Sequence, residues 1–173
     1  MPFDLNDAIQ ILERTPATLR GLLSGLSPKW TTVNEGPDTW TPHEVIAHLI
    51  NGERTDWIPR TRHLLEYGES RPFDPFDRTG GFEEARRRPL GELLREFATL
   101  REEGLATLRD LQLAERDLDR RGRHPEFGPV TLRQHLATWT VHDLTHISQI
   151  VRVLAVQYQE DVGPWRKYLR VVQ

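Results

Sequence analysis

Residues 131–159, TLRQHLATWTVHDLTHISQIVRVLAVQYQ, read as one long helix that carries three of the chain's seven histidines. At about 100° per residue, His135, His142 and His146 fall within roughly 40° of one another. They share that sector with Trp139, Ile150 and Val153, while Arg133, Gln134, Thr145, Ser148 and Arg152 take the far side. The imidazoles therefore lie on the face that turns inward. A buried imidazole needs a partner for each ring nitrogen, so this placement demands a reason. Thr131 followed by Gln134 is a capping-box pattern that fixes where the helix starts. Gly163-Pro164 stops the chain beyond it, and residues 165–172 read as a short terminal turn.

Three further amphipathic helices precede this one. Leu5, Ala8, Ile9 and Leu12, then Leu19, Leu22, Leu23 and Leu26, have helical spacing on either side of Thr15-Pro16. They predict one helix over about 4–25, broken at the proline. In Trp40-Thr41-Pro42-His43-Glu44-Val45, Thr41 is an N-cap, Pro42 the first helical residue and Glu44 the partner that completes a capping box. Trp40 and Val45 stand where a hydrophobic staple closes. That helix is predicted from 42 to about 66, bent at Pro59. Pro89 opens a third helix to about 110, with Leu90, Leu93, Leu94, Phe97, Leu100, Leu105 and Leu108 as its apolar face.

Residues 28–40, 67–81 and 114–130 read as loops, and no strand-like alternation stands out. In the second of these, YGESRPFDPFDRTGG, Phe73 and Phe76 suggest a segment folded back on the body as a lid. Four long helices in this length predict an all-α four-helix bundle in one domain over residues 1–173. The long connection between helices 2 and 3 can run the length of the bundle, so the topology need not be simple up-down-up-down.

Composition narrows the function classes. The chain has 173 residues, 28% of them charged, and a net charge of -3. Its one basic run, Arg86-Arg87-Arg88, sits beside Glu83 and Glu84, so no nucleic-acid partner is expected. The absence of cysteine excludes disulfides, thiolate metal sites and a cysteine nucleophile. No apolar run approaches the ~20 residues that span a bilayer. MPFDLNDAIQ contains no basic segment leading into an apolar one, so a cytoplasmic location is expected.

The histidines carry the remaining chemistry. His142 and His146 are an i, i+4 pair, which puts two imidazoles on one helix face. His48 lies in the second turn of the second helix, on one face with Glu44 and Gly52. Three neutral imidazoles from two helices make a half-open coordination shell that leaves room for water or substrate. A divalent ion there keeps its full charge, and three imidazoles suit zinc or nickel, with iron a third choice. Spacing alone leaves a second reading open: core histidines bonded to backbone carbonyls, with His48 an exposed partner of Glu44.

The neighbours divide similarly. His135 is two turns from His142, near 10 Å along the axis; it reads as a structural histidine or a pocket-lining proton carrier. His43 is some 140° around the helix from His48 and reads as solvated, like His63 and His124. Glu44 either closes its capping box or bonds the free nitrogen of His48. Gln149 shares a face with His146 and is a candidate to bond a ligand or bound water. Asp143, about 100° from His142, reads as facing another helix. Trp139 and Trp57 read as core aromatics. Gly52 leaves space either for His48 or for a neighbouring helix.

WTPHEVIAHLINGE (40–53) followed by TLRQHLATWTVHDLTHISQI (131–150) resembles the DinB-like (DinB/YfiT-like) superfamily of metal-dependent helical proteins. TPATLRGLLSGL, RPFDPFDR, RGRHPEFGPVT and GPWRKYL extend the resemblance over nearly the whole chain. The resemblance implies a four-helix bundle with a divalent metal at one end. It implies three histidine ligands, one from the second helix and two from the last, which match His48, His142 and His146. It also implies frequent homodimers, and relatives that are transferases and isomerases dependent on glutathione, mycothiol or bacillithiol. The expected function is a metal-dependent hydrolase or thiol-dependent S-transferase that activates water or a small thiol against a small-molecule substrate. A stress-associated metal-binding or scaffold protein is the non-enzymatic alternative.

Overall fold

The computed structural model describes residues 1–173. Helix α1, Leu5–Leu23, is continuous rather than broken, although Pro16 lies inside it. Proline has no N–H to offer the carbonyl four residues back. That carbonyl, on Leu12, instead accepts a hydrogen bond from Arg101 Nη1 at 3.0 Å. The bond lost within the helix is replaced from across the bundle.

A short helix α2, Pro28–Thr31, interrupts the first expected loop. Helix α3, Pro42–Thr55, starts at the expected capping box: Glu44 N donates to Thr41 Oγ1 at 3.2 Å, and Thr41 N donates to Glu44 Oε2 at 2.9 Å. The single helix expected over 42–66 is in fact two. The chain breaks at Asp56 and resumes as α4, Trp57–Tyr67. The break falls ahead of Pro59 and so places the proline in a first turn, where a missing N–H leaves no bond unmade. Gly52 serves this junction. A Cβ there would lie 3.1 Å from Trp57 Nε1, so the space is used by the indole and not by His48.

Two four-residue elements, α5 (Phe82–Ala85) and α7 (Glu115–Leu118), flank the long α6, Leu90–Asp110. The last expected loop contains a hairpin: β1, Arg121–His124, pairs antiparallel with β2, Gly128–Thr131, from Arg121↔Thr131 to His124↔Gly128. Strands this short show no alternation to read. Helix α8, Leu132–Val156, begins at the Thr131–Gln134 capping box and ends three residues before the expected limit. Two 3-10 turns, Gly163–Tyr168 and Arg170–Val172, follow it. No helix is long and apolar enough to cross a membrane.

The architecture is a four-helix bundle, with α3 and α4 together forming its second member. Helices α1 and α3 each pack against both α6 and α8, so α1 faces α3 and α6 faces α8 across the two diagonals. The apolar core is divided. One cluster holds Leu49, Phe97 and Ile150; the other holds Leu12, Trp57 and Trp139. Arg101 lies between them, 4.9 Å from the Phe97 ring centroid and 5.1 Å from that of Trp139. It is 1% exposed and pairs with Glu53 and Asp143.

Segment 68–81 lies as a strap against α3 and α4. Phe73 is buried beneath it, and its N–H donates to the Arg123 carbonyl at 2.9 Å. Arg60 Nη2 donates to Asp74 O at 2.7 Å, and Asn51 Nδ2 to Asp77 O at 2.8 Å. Gly80 permits this closeness: a Cβ would fall 2.8 Å from Asn51 Nδ2.

Candidate metal centre

The capping box sets the start and phase of α3, and so directs His48 inward from its second turn. One turn of α8 separates His142 from His146 on the opposing surface. The Nε2 atoms of His48 and His142 are 3.0 Å apart, and those of His142 and His146 3.1 Å. Each residue offers one ring nitrogen to a set in which all three atoms lie within 4.8 Å of one another, and no fourth His, Asp or Glu joins it.

Hydrogen bonds on the far side of two rings define their tautomers. His48 Nδ1 is 2.8 Å from the Arg78 carbonyl, which only accepts, so Nδ1 carries the proton. His146 Nδ1 is likewise 2.8 Å from Gln149 Oε1, with the amide oriented as placed. Both Nε2 atoms are then bare lone pairs directed at His142 Nε2. One proton on His142 can satisfy one of those contacts and not both. His142 Nδ1 is buried without a hydrogen-bond partner.

Burial is the main force holding the rings neutral. It lowers His48 to about 4 and His142 to about 2, and pushes His146 down as well. Converging neutral lone pairs repel each other in the metal-free state. They are the state of imidazole that binds a cation. Ligand bonds of about 2.0–2.1 Å place adjacent donor nitrogens roughly 2.9–3.4 Å apart, and the two measured separations lie in that range. The donor set therefore fits a divalent ion.

Aromatic rings close the surroundings. Trp40 lies parallel to His146, with centroids 6.0 Å apart and planes 8° apart, and 4.7 Å from His48. Phe76 of the strap meets His48 edge-on at 5.6 Å, and Trp57 meets His142 at 5.0 Å. Phe76 also lines a cleft of about 340 Å³ between the strap, α3 and α4. A groove of about 810 Å³ lies between α1 and α6 and includes none of the three histidines.

Glu44 does not bond His48. Its carboxylate closes the capping box and pairs with Arg86, and a backbone carbonyl takes the place considered for it. Gln149 bonds His146 itself. His135 is half-buried, donates from Nε2 to Trp57 O at 3.0 Å and stands apart from the three-histidine set. His43, His63 and His124 are not solvated as expected. They are half-buried, against Ala85 O, Arg71 O and the amides of Glu126 and Phe127 respectively. Asp143 faces another helix, through Arg101.

Sequence reasoning missed Arg101 and Glu53. A signal was present: Arg101 is four residues after Phe97 and four before Leu105, on the apolar stripe of α6. It also missed the Arg78 carbonyl, which no side-chain pattern announces.

The family model for the DinB superfamily matches residues 11–150. The chain belongs to the DinB superfamily. Among solved structures, this DinB-superfamily chain is similar to YfiT from Bacillus subtilis, described as a probable metal-dependent hydrolase with an unusual four-helix bundle topology. The TM-score is 0.74 at 23% identity, over 92% of this chain and 87% of that one. It is also similar to TT2238, a four-helix bundle protein, with a TM-score of 0.51 at 20% identity over 83% and 95% of the two chains. Among curated proteins, none matches.

Proposed function

We propose that His48, His142 and His146 hold one divalent metal ion and that the chain is a metal-dependent enzyme acting on a small molecule by hydrolysis or thiol transfer. The observation that carries this reading is the convergence of three neutral Nε2 atoms with two tautomers fixed from behind. Zinc or nickel suits three imidazoles. Such an ion acts as a Lewis acid, lowering the pKa of a water or small thiol and polarising a carbonyl.

The chain's own residues supply orientation and exclusion of water. The Arg78 carbonyl and Gln149 hold two rings in the donor tautomer and resist their rotation. Trp40 and Phe76 cover the His48 ring and keep bulk water from it. The likeness to YfiT, described as a probable metal-dependent hydrolase, agrees with the reading. Untagged protein, metal-stripped and then reconstituted with zinc or nickel, should be tested against small esters and amides and against thiol–electrophile pairs. Turnover that requires the metal and is lost in His142→Ala is expected. A protein that binds the metal but is inert across these reaction classes would favour a structural or scaffold role instead.

A further inference from the structure

Arg78 has a second feature besides its carbonyl. Strap residues 77–80 are pinned at the histidine cluster: Asn51 holds the Asp77 carbonyl, His48 holds that of Arg78, and Gly80 packs on Asn51. The Arg78 side chain leaves from this fixed point, is exposed and pairs with no carboxylate. The nearby acids are engaged elsewhere. Asp77 Oδ1 accepts from Thr79 N and Oγ1 at 3.0 and 3.1 Å, Glu44 is held by Arg86, and Asp143 by Arg101. The unpaired, exposed side chain of Arg78 therefore begins beside the cluster, with its own carbonyl 2.8 Å from His48 Nδ1. With three neutral ligands and no acid in the set, the cluster offers nothing negative to balance it.

We propose that Arg78 is the substrate-recognition residue of this centre and that its substrates carry an oxyanion, a carboxylate or phosphate group, next to the reacting bond. The proposal rests on the three histidines being the reactive centre. A guanidinium presents paired N–H donors that match two oxygens of such a group, and it keeps its charge at any working pH. Anchoring by the carbonyl fixes the root of the side chain against His48, so an oxyanion bound by Arg78 is held beside the cluster.

The test is calorimetric titration of benzoate, phenyl phosphate and benzamide into wild type, Arg78→Met and Arg78→Lys. Each protein is used metal-free and zinc-loaded, with fold checked by circular dichroism and zinc content by mass spectrometry. The expected result is tighter binding of the oxyanions than of benzamide. Arg78→Met should weaken the oxyanions about 10- to 100-fold and leave benzamide unchanged. Arg78→Lys should recover part of the loss, because it restores the charge without the fork. The tighter of the two oxyanions identifies the group the site prefers. Oxyanion affinity that is equal in wild type and Arg78→Met in both forms, or undetectable throughout, overturns the proposal. Zinc content judges the histidines separately: a protein that takes no zinc, yet loses benzoate with Arg78→Met, keeps the oxyanion site and removes the metal.

Discussion

Two polar clusters sit inside the bundle, and they are built on opposite plans. In Glu53–Arg101–Asp143 the guanidinium makes five hydrogen bonds, to Glu53 (twice), Asp143 (twice) and the Leu12 carbonyl. Arg101 has five N–H donors, so it is saturated. Trp139 Nε1 adds a further bond to Glu53 at 3.2 Å. The carboxylates outweigh the burial that would otherwise disfavour the Arg101 charge, and its pKa is raised. In His48–His142–His146 the donors are turned outward and the lone pairs inward. The first cluster closes within the chain, and the second leaves converging lone pairs unmatched, as the proposed metal site requires. A buried polar group whose bonds close within the chain has a structural role, and one whose unused acceptors converge is free to take a ligand.

Breaking the closed cluster should have the largest effect. Arg101→Met leaves two carboxylates buried without a counter-ion and frees the Leu12 carbonyl. It should cost about 3–5 kcal/mol in urea unfolding, whereas His142→Ala in metal-free protein should change stability by no more than about 1 kcal/mol. Similar costs for the two variants would erase the distinction between the clusters.

Acid acts next, and on the histidines. His48 is held at about 4 and His142 at about 2, against an ordinary 6.5. Well above pH 6.5 neither the folded nor the unfolded chain protonates these rings. Below it the unfolded chain takes up protons that the folded one refuses, so stability falls with pH. For His48 the loss is roughly 2 kcal/mol between pH 6.5 and 5. Urea midpoints of metal-free protein at pH 7 and 5 measure it, and an unchanged midpoint would contradict the buried neutral state.

Gln149→Leu removes the acceptor behind His146 and touches nothing in the closed cluster. It should weaken metal affinity about 10- to 100-fold while leaving the metal-free melting temperature nearly unchanged. The smallest effect should come from Pro16→Ala. Proline inside a helix ordinarily costs about 3 kcal/mol relative to alanine. Here Arg101 already holds the freed carbonyl, so the gain should be under about 1 kcal/mol.

Much of this was legible in the sequence, for reasons that are local. Thr41–Glu44 and Thr131–Gln134 are contacts within a single turn, and they located the starts of both histidine helices. The i, i+4 spacing of His142 and His146 puts them on one face, His48 is the third imidazole offered by a second helix, and the resemblance joins the three as ligands. What stayed hidden depends on distant or backbone partners. Arg101 meets Glu53 and Asp143 across 48 and 42 positions. The Arg78 carbonyl belongs to no side-chain pattern. Strands of four residues carry too little periodicity to separate them from a loop, so the 121–131 hairpin was read as coil. The Asp56 break was displaced from Pro59 because a first turn tolerates proline where a helix interior does not.

The most direct test of the central claim is the metal content of protein purified without a histidine tag, measured by inductively coupled plasma mass spectrometry after exposure to zinc or nickel and desalting. About one ion per chain is expected for wild type and close to none for a His48→Ala, His142→Ala double variant that retains its helical spectrum. Equal metal content in the two proteins would show that these histidines are not the ligands.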